Sequence, residues 1–133
     1  MKKIDHIGIA VADMDTAIAQ YTAMGFEFHG QETVASQKVN TAFFEIGESH
    51  IELLEPTQPD SPVGKFLEKR GPGVHHICIQ VDDIDAALLR FKEAGLQLIN
   101  ETPVIGAGGH RVAFVHPKST SGVLMELLEP KKA

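Results

Sequence analysis

Ile7, Ile9 and Val11 alternate with His6, Gly8 and Ala10, the period of two expected of a half-buried strand. The period then changes. After Asp83, the residues Ile84, Ala87, Leu88 and Phe91 fall at helical spacing, and Asp13 opens an equivalent stretch in the first half. Asp13 and Asp83 suit the N-cap, where a short carboxylate accepts from the open N–H groups of the first turn. Gly25 and Gly95 predict the two helix ends. Strands are expected at Phe26–Glu32, Lys38–Ile46 and His50–Glu55, and again at Leu96–Asn100, Arg111–Val115 and Val123–Leu128. Gly47-Glu48 predicts a tight hairpin turn.

The two halves resemble each other because the chain contains an internal duplication. Residues 4–28, IDHIGIAVADMDTAIAQYTAMGFEF, align without gaps on residues 74–98, VHHICIQVDDIDAALLRFKEAGLQL, at a shift of 70. His6 thereby pairs with His76, Asp13 with Asp83, Ala17 with Ala87 and Gly25 with Gly95. Further on, Ala42-Phe43-Phe44 answers Ala113-Phe114-Val115, and ELLEP occurs verbatim at 52–56 and 126–130, where the shift has grown to 74. The second copy therefore carries about four extra residues, expected within HPKSTSG. Each copy reads as strand, helix, three strands. A βαβββ unit alone leaves sheet edges and one apolar face uncovered, so neither copy is expected to be stable by itself.

Residues 56–73, PTQPDSPVGKFLEKRGPG, hold four prolines and three glycines and read as a connector, with Val63–Arg70 a short helix. The organisation expected is a single domain over 1–133: module one at about 4–55, the connector at 56–73, and module two at about 74–129. Composition excludes several function classes. A net charge of −6 and 6% aromatic residues without tryptophan speak against nucleic-acid binding. No apolar run approaches the roughly 20 residues that span a bilayer, so no membrane role is expected. Asp5 and Asp13 interrupt the N-terminal stretch before a signal-peptide core could form. The single cysteine, Cys78, lies between Ile77 and Ile79, reads as a core thiol and fits a reducing cytoplasm.

The duplication also selects candidate chemistry. His6 and His76 occupy equivalent places on equivalent strands, and so do Glu52 and Glu126. Both glutamates lie in apolar sequence, Ile51-Glu52-Leu53 and Met125-Glu126-Leu127, where an unpaired carboxylate is costly to bury. Pseudo-twofold symmetry would bring two imidazoles and two carboxylates to one point, a set suited to Zn, Co, Ni, Mn or Fe(II). His75 points to the opposite strand face from His76, and His29 and His50 sit near turns. His110 and His116 flank a strand and are candidates for a pocket mouth.

DHIGIAV, SPVGKFLEKRGPGVHHICIQVDDIDAAL and HPKSTSGVLMEL together resemble the methylmalonyl-CoA epimerases of the vicinal oxygen chelate (glyoxalase/bleomycin resistance) superfamily. The resemblance covers essentially the whole chain; DHIGIAV identifies the superfamily, and the other two stretches are more specific to the epimerases. It implies an α+β, glyoxalase-like fold: two tandem βαβββ modules forming a cupped, barrel-like mixed sheet around a metal. The implied ligands match His6, Glu52, His76 and Glu126, with one divalent ion per chain, cobalt favoured, and a homodimer as the typical assembly.

The implied reaction moves a proton at C2 of a 2-methylmalonyl thioester, interconverting its (R) and (S) forms through a metal-stabilised enolate. By resemblance Glu126 acts as both ligand and base, and Glu52 is a metal ligand. Some family members carry a second glutamate at a position matched here by Thr41, a poor base; either Glu45, Glu52, a histidine or water serves instead, or the two-carboxylate mechanism does not apply to this chain. Arg111, Lys118, His110 and Lys38 are candidate contacts for an acyl-CoA substrate, and backbone N–H groups of GAGGH or KSTSG for its carboxylate. The alternatives are a lactoylglutathione lyase on the same metal set, or a non-enzymatic ligand-binding or resistance protein. The KSTSGVLMEL ending and short connector favour the epimerase.

Overall fold

A computed structural model describes residues 1–132. The chain divides into two compact units, His6–His75 and Met1–Asp5 with His76–Ala133. The first five residues go with the second repeat, where Lys2 N donates to Gln80 O at 2.9 Å.

The first repeat runs β1 (Lys3–Ala10), α1 (Met14–Ala23), β2 (Glu27–Val34), β3 (Val39–Ile46) and β4 (Ser49–Pro56). Its strands lie in the order β2-β3-β4-β1. β1 pairs with β4 in parallel, and the hairpin partners pair antiparallel. Registers assign the faces. His6 stands opposite His50, Gly8 opposite Glu52, and Phe43 opposite Glu52 from the other side. Because side chains alternate, Ile9, Leu53, Ala42 and Phe44 occupy the reverse face. There they bury Met14 and Ala17 of α1, and Phe44 and Leu53 are fully enclosed.

The second repeat runs β5 (Gly73–Gln80), α3 (Ile84–Glu93), β6 (Val104–Ile105), β7 (Arg111–Val115) and β8 (Met125–Glu129), in the order β5-β8-β7-β6. β5 and β8 are parallel, with Cys78 opposite Glu126, and Phe114 stands opposite Glu126 on β7. The reverse face packs Ala113 and Leu127 against Ile84 and Leu88 of α3.

ELLEP divides its labour between the two faces. Three residues after the first glutamate, the second points to the helix side and closes a helix start. Glu55 Oε2 accepts from Met14 N at 2.8 Å, and Glu129 Oε1 from Ile84 N at 3.0 Å. Asp83 also caps, accepting from Ala86 N at 3.1 Å. Asp13 differs from expectation: its carboxylate takes the Thr16 hydroxyl and makes no cap bond, and Glu55 serves the helix instead.

The connector forms α2 (Pro62–Arg70). Ser61, fully buried, accepts from Gly64 N at 3.0 Å, and Pro62 occupies the first helical position, where no N–H is missed. Gly64 sits so close to the chain that a β-carbon there would stand 2.6 Å from Pro59 O. The SPVG run is thus a capped helix start pressed against its own approach.

One predicted strand is absent. Leu96–Asn100 forms only a single bridge, Leu98 to Val115, and a two-residue strand at Val104–Ile105 borders β7 instead. The cause is local. Asn100 Oδ1 accepts from Phe114 N at 2.9 Å and Ser119 Oγ from Gln97 N at 2.8 Å, so side chains take ladder positions. Of the four additional residues in the second copy, the shift from Ala42–Ala113 to Glu52–Glu126 places three in the β7–β8 connection containing HPKSTSG, and one precedes β7. Gly47-Glu48 makes the expected two-residue turn, with Gly47 at φ 56°. No helix among the described residues is long and apolar enough to cross a membrane.

Candidate functional site

Each repeat brings its own His/Glu pair together on the face away from its helix. In the first, His6 Nδ1 lies 3.3 Å from Glu52 Oε2, and the side chains are 3% and 8% exposed. In the second, His76 Nε2 lies 3.0 Å from Glu126 Oε1, at 5% and 8% exposure. Parallel pairing explains this: Glu52 stands opposite Gly8 and Glu126 opposite Cys78, each two residues along the strand from the histidine and therefore on its face. A carboxylate at such depth needs a cationic or hydrogen-bonded partner, and each has an imidazole.

The second pair rests on an apolar floor. Cys78, Val112 and Leu128 share its face, are 0%, 1% and 5% exposed, and pack together. Phe114 meets the His76 ring edge-on at 5.6 Å between centroids. Apolar lining and burial lower the effective dielectric around the pair, which strengthens its electrostatic contact.

The first pair has a third member that symmetry passed over. His50 Nε2 lies 2.7 Å from Glu52 Oε2, and its ring stacks on His6 at 5.0 Å between centroids with 28° between planes. His6, His50 and Glu52 each offer a ligand atom within 4.8 Å of the others. Two residues apart on β4, His50 and Glu52 must share a face, and that spacing was the available signal. The repeat alignment concealed it, because Leu124 stands at the equivalent place in the second copy.

The donor chemistry fits a divalent ion. In each repeat the buried imidazole and carboxylate are borderline ligands of the kind Zn, Co, Ni, Mn and Fe(II) accept.

The remaining candidates are scattered. Thr41 is 1% exposed and lies opposite Leu54, on the Glu52 face. Glu45 is exposed. Arg111 donates to both oxygens of Asp85 at 3.1 and 3.0 Å and to Glu129 Oε2 at 3.3 Å, and those hydrogen bonds raise its pKa further. It occupies the place of Asn40, which donates to Glu55 Oε1 at 3.1 Å in the first repeat. Lys38 is paired with Asp60 at 3.0 Å. His110 Nδ1 accepts from Lys131 N, and His116 Nδ1 accepts from Lys118 N, leaving the Lys118 side chain exposed. His75 meets Phe66 edge-on at 5.0 Å, and His29 lies beside Glu27 on the surface. An apolar cavity of 490 Å³ opens in the second unit between Lys2, Ile79, Phe91 and Met125, on the helix side; of the candidate segments it touches only KSTSG, through Thr120.

Comparison with known proteins adds the following. The family model of the Glyoxalase/Bleomycin resistance protein/Dioxygenase superfamily matches residues 5–114. Ethylmalonyl-CoA/methylmalonyl-CoA epimerase of Cereibacter sphaeroides is 41% identical, over 94% of this chain and 96% of that protein. The mitochondrial methylmalonyl-CoA epimerase of Homo sapiens is 39% identical over 94% of this chain and 72% of its own length. A methylmalonyl-CoA epimerase solved in complex with methylmalonyl-CoA and NH4+ superposes with a TM-score of 0.94 at 41% identity, covering 98% of this chain and 95% of that one.

Proposed function

Since the chain belongs to the glyoxalase/bleomycin resistance/dioxygenase superfamily, on its methylmalonyl-CoA epimerase branch, we propose that it interconverts (R)- and (S)-methylmalonyl-CoA with the aid of a divalent metal ion. The observation that carries the reading is the repeated buried pair, His6 with Glu52 and His76 with Glu126, at equivalent positions of the duplication. Those four residues are the proposed ligands. When bound, the ion supplies a Lewis acid for the negative charge that develops on the thioester oxygen as C2 loses its proton.

The chain's own groups do the rest. Glu126 is the proposed base: its carboxylate lies over the dry floor of Cys78, Val112 and Leu128, where proton transfer competes little with water. The acidity of C2 comes from the thioester carbonyl, onto whose oxygen the charge of the enolate delocalises, so the proton can pass to a carboxylate only while that charge is stabilised. Thr41 cannot serve as its opposite number, since a hydroxyl stays protonated at neutral pH. Glu52 stands across from Phe43 and beneath His50, and its proposed part is ligation. Lys118, exposed within the β7–β8 connection, is the proposed contact for a CoA phosphate. A homodimer is the proposed assembly.

Deuterium wash-in at C2 of methylmalonyl-CoA, run beside turnover of the methylglyoxal–glutathione hemithioacetal, tests the assignment. Exchange with the thioester alone is expected. Turnover of the hemithioacetal alone would replace the epimerase with a lactoylglutathione lyase.

A further inference from the structure

We propose that His50 is a positioning residue that locks the Glu52 carboxylate for metal binding, which makes the two glutamates of the repeat unequal. The inference rests on the metal reading above and extends it to a residue outside the symmetric set. An ionised carboxylate only accepts hydrogen bonds, so at 2.7 Å His50 Nε2 carries the hydrogen and donates it to Oε2. The ring itself is fixed. It stacks on His6 at 5.0 Å and meets Phe43 at 5.9 Å and 58°. Its side chain is 19% exposed against 8% for Glu52, so the carboxylate is the more deeply buried of the two.

The second repeat has no histidine at this place, and Glu126 meets the imidazole of its own pair, His76 Nε2 at 3.0 Å. Leu124 takes the place of His50, and leucine donates no hydrogen bond. This difference matches a difference in task. A carboxylate that only ligates gains from being held in one orientation, because less rotamer freedom is lost when the ion binds. A carboxylate that also carries a proton must turn between partners, and a lock would hinder it. The duplication thus supplies two glutamates, and one histidine on β4 commits the first of them to ligation.

The test is Co2+ titration of the metal-free full chain, with affinity read by chelator competition and the visible ligand-field spectrum recorded alongside. His50→Leu, which installs the second repeat's own residue, is expected to weaken Co2+ binding by about 10–100-fold and to shift the spectrum. His50→Gln is expected to restore most of the affinity, since its amide nitrogen stands near the place of Nε2. His50→Asn, one methylene shorter, is expected to behave like His50→Leu. Should His50→Leu fail to fold by circular dichroism, the Gln and Asn variants carry the comparison. Wild-type affinity and spectrum in every variant that folds would overturn the role of His50 and leave the four-ligand reading standing. A wild-type chain that takes up no Co2+, or uptake that survives both Glu52→Ala and His76→Ala, would remove that reading and this inference with it.

Discussion

Glu129 Oε1 accepts the hydrogen of the Ile84 amide at 3.0 Å, so the last strand of the second repeat closes the open end of α3. Glu55 does the same for α1 through Met14 N at 2.8 Å. Caps of this kind are worth about 1 kcal/mol, and the helix dipole adds to the charged form. Glu129→Ala is expected to lower the unfolding free energy obtained from urea denaturation by that amount, and Glu129→Gln by less, because it keeps an acceptor. Equal losses in both would place the stabilisation in charge rather than in the cap.

Arg111 is bound on two sides, by Asp85 and by Glu129. Its expected role is to hold that cap, not to touch substrate. Arg111→Ala should lower Tm while KM for methylmalonyl-CoA stays within about twofold, well inside the tenfold that 1.4 kcal/mol represents. For Lys118→Ala the expectation is the reverse, a raised KM at unchanged Tm. Steady-state kinetics beside thermal melts separate the two, and a severalfold rise in KM for Arg111→Ala would return it to the binding surface.

The start of α2 is sterically defined. Ser61→Ala removes a buried cap and should cost about 1 kcal/mol. Gly64→Ala should cost at least as much, because its β-carbon would meet Pro59 O at 2.6 Å. Denaturant titration of both variants checks this; a Gly64→Ala protein as stable as wild type would mean that the approach to α2 yields freely.

Asp60 accepts from Lys38 at 3.0 Å, and that bond, with the lysine's charge, holds its carboxyl below the ordinary carboxylate range. A depressed folded-state pKa contributes stability above the unfolded value, and the contribution is lost as pH falls through the folded one. Wild type and Asp60→Asn should therefore differ slightly near neutrality and converge in acid. The gap should also shrink with added salt, since both groups face solvent. Denaturation midpoints across a pH series measure it.

Glu126→Gln keeps the shape of the proposed base and removes its proton affinity. C2 exchange should fall by about 10²–10⁴-fold, the usual worth of a positioned base. Circular dichroism should stay native, since glutamine fits the same space. Exchange within tenfold of wild type would move the base elsewhere.

Much of this was legible in the residues. The repeat fixed both βαβββ modules, because alternation and helical spacing recur at a constant shift. It also singled out His6, Glu52, His76 and Glu126, since a duplicated pair of buried ligand types is hard to explain otherwise. The same symmetry hid what breaks it. His50 has no counterpart, and Leu96–Asn100 looked like its first-repeat equivalent until the Asn100 side chain took the Phe114 amide.

What the sequence determined by itself is periodicity: which residues share a face, where helices start and stop, and which positions recur. These follow from local geometry, in which side chains alternate on a strand and line up every third or fourth residue on a helix. The tertiary structure decided which polar groups meet. Parallel register set His6 beside Glu52 and His76 beside Glu126, and the reverse face turned Glu55 and Glu129 into caps. It also joined Arg111 to Asp85 across 26 residues, where its charge suggests a contact with an acyl-CoA substrate. Charge alone names no partner; the partner is set by the few ångströms over which a hydrogen bond acts.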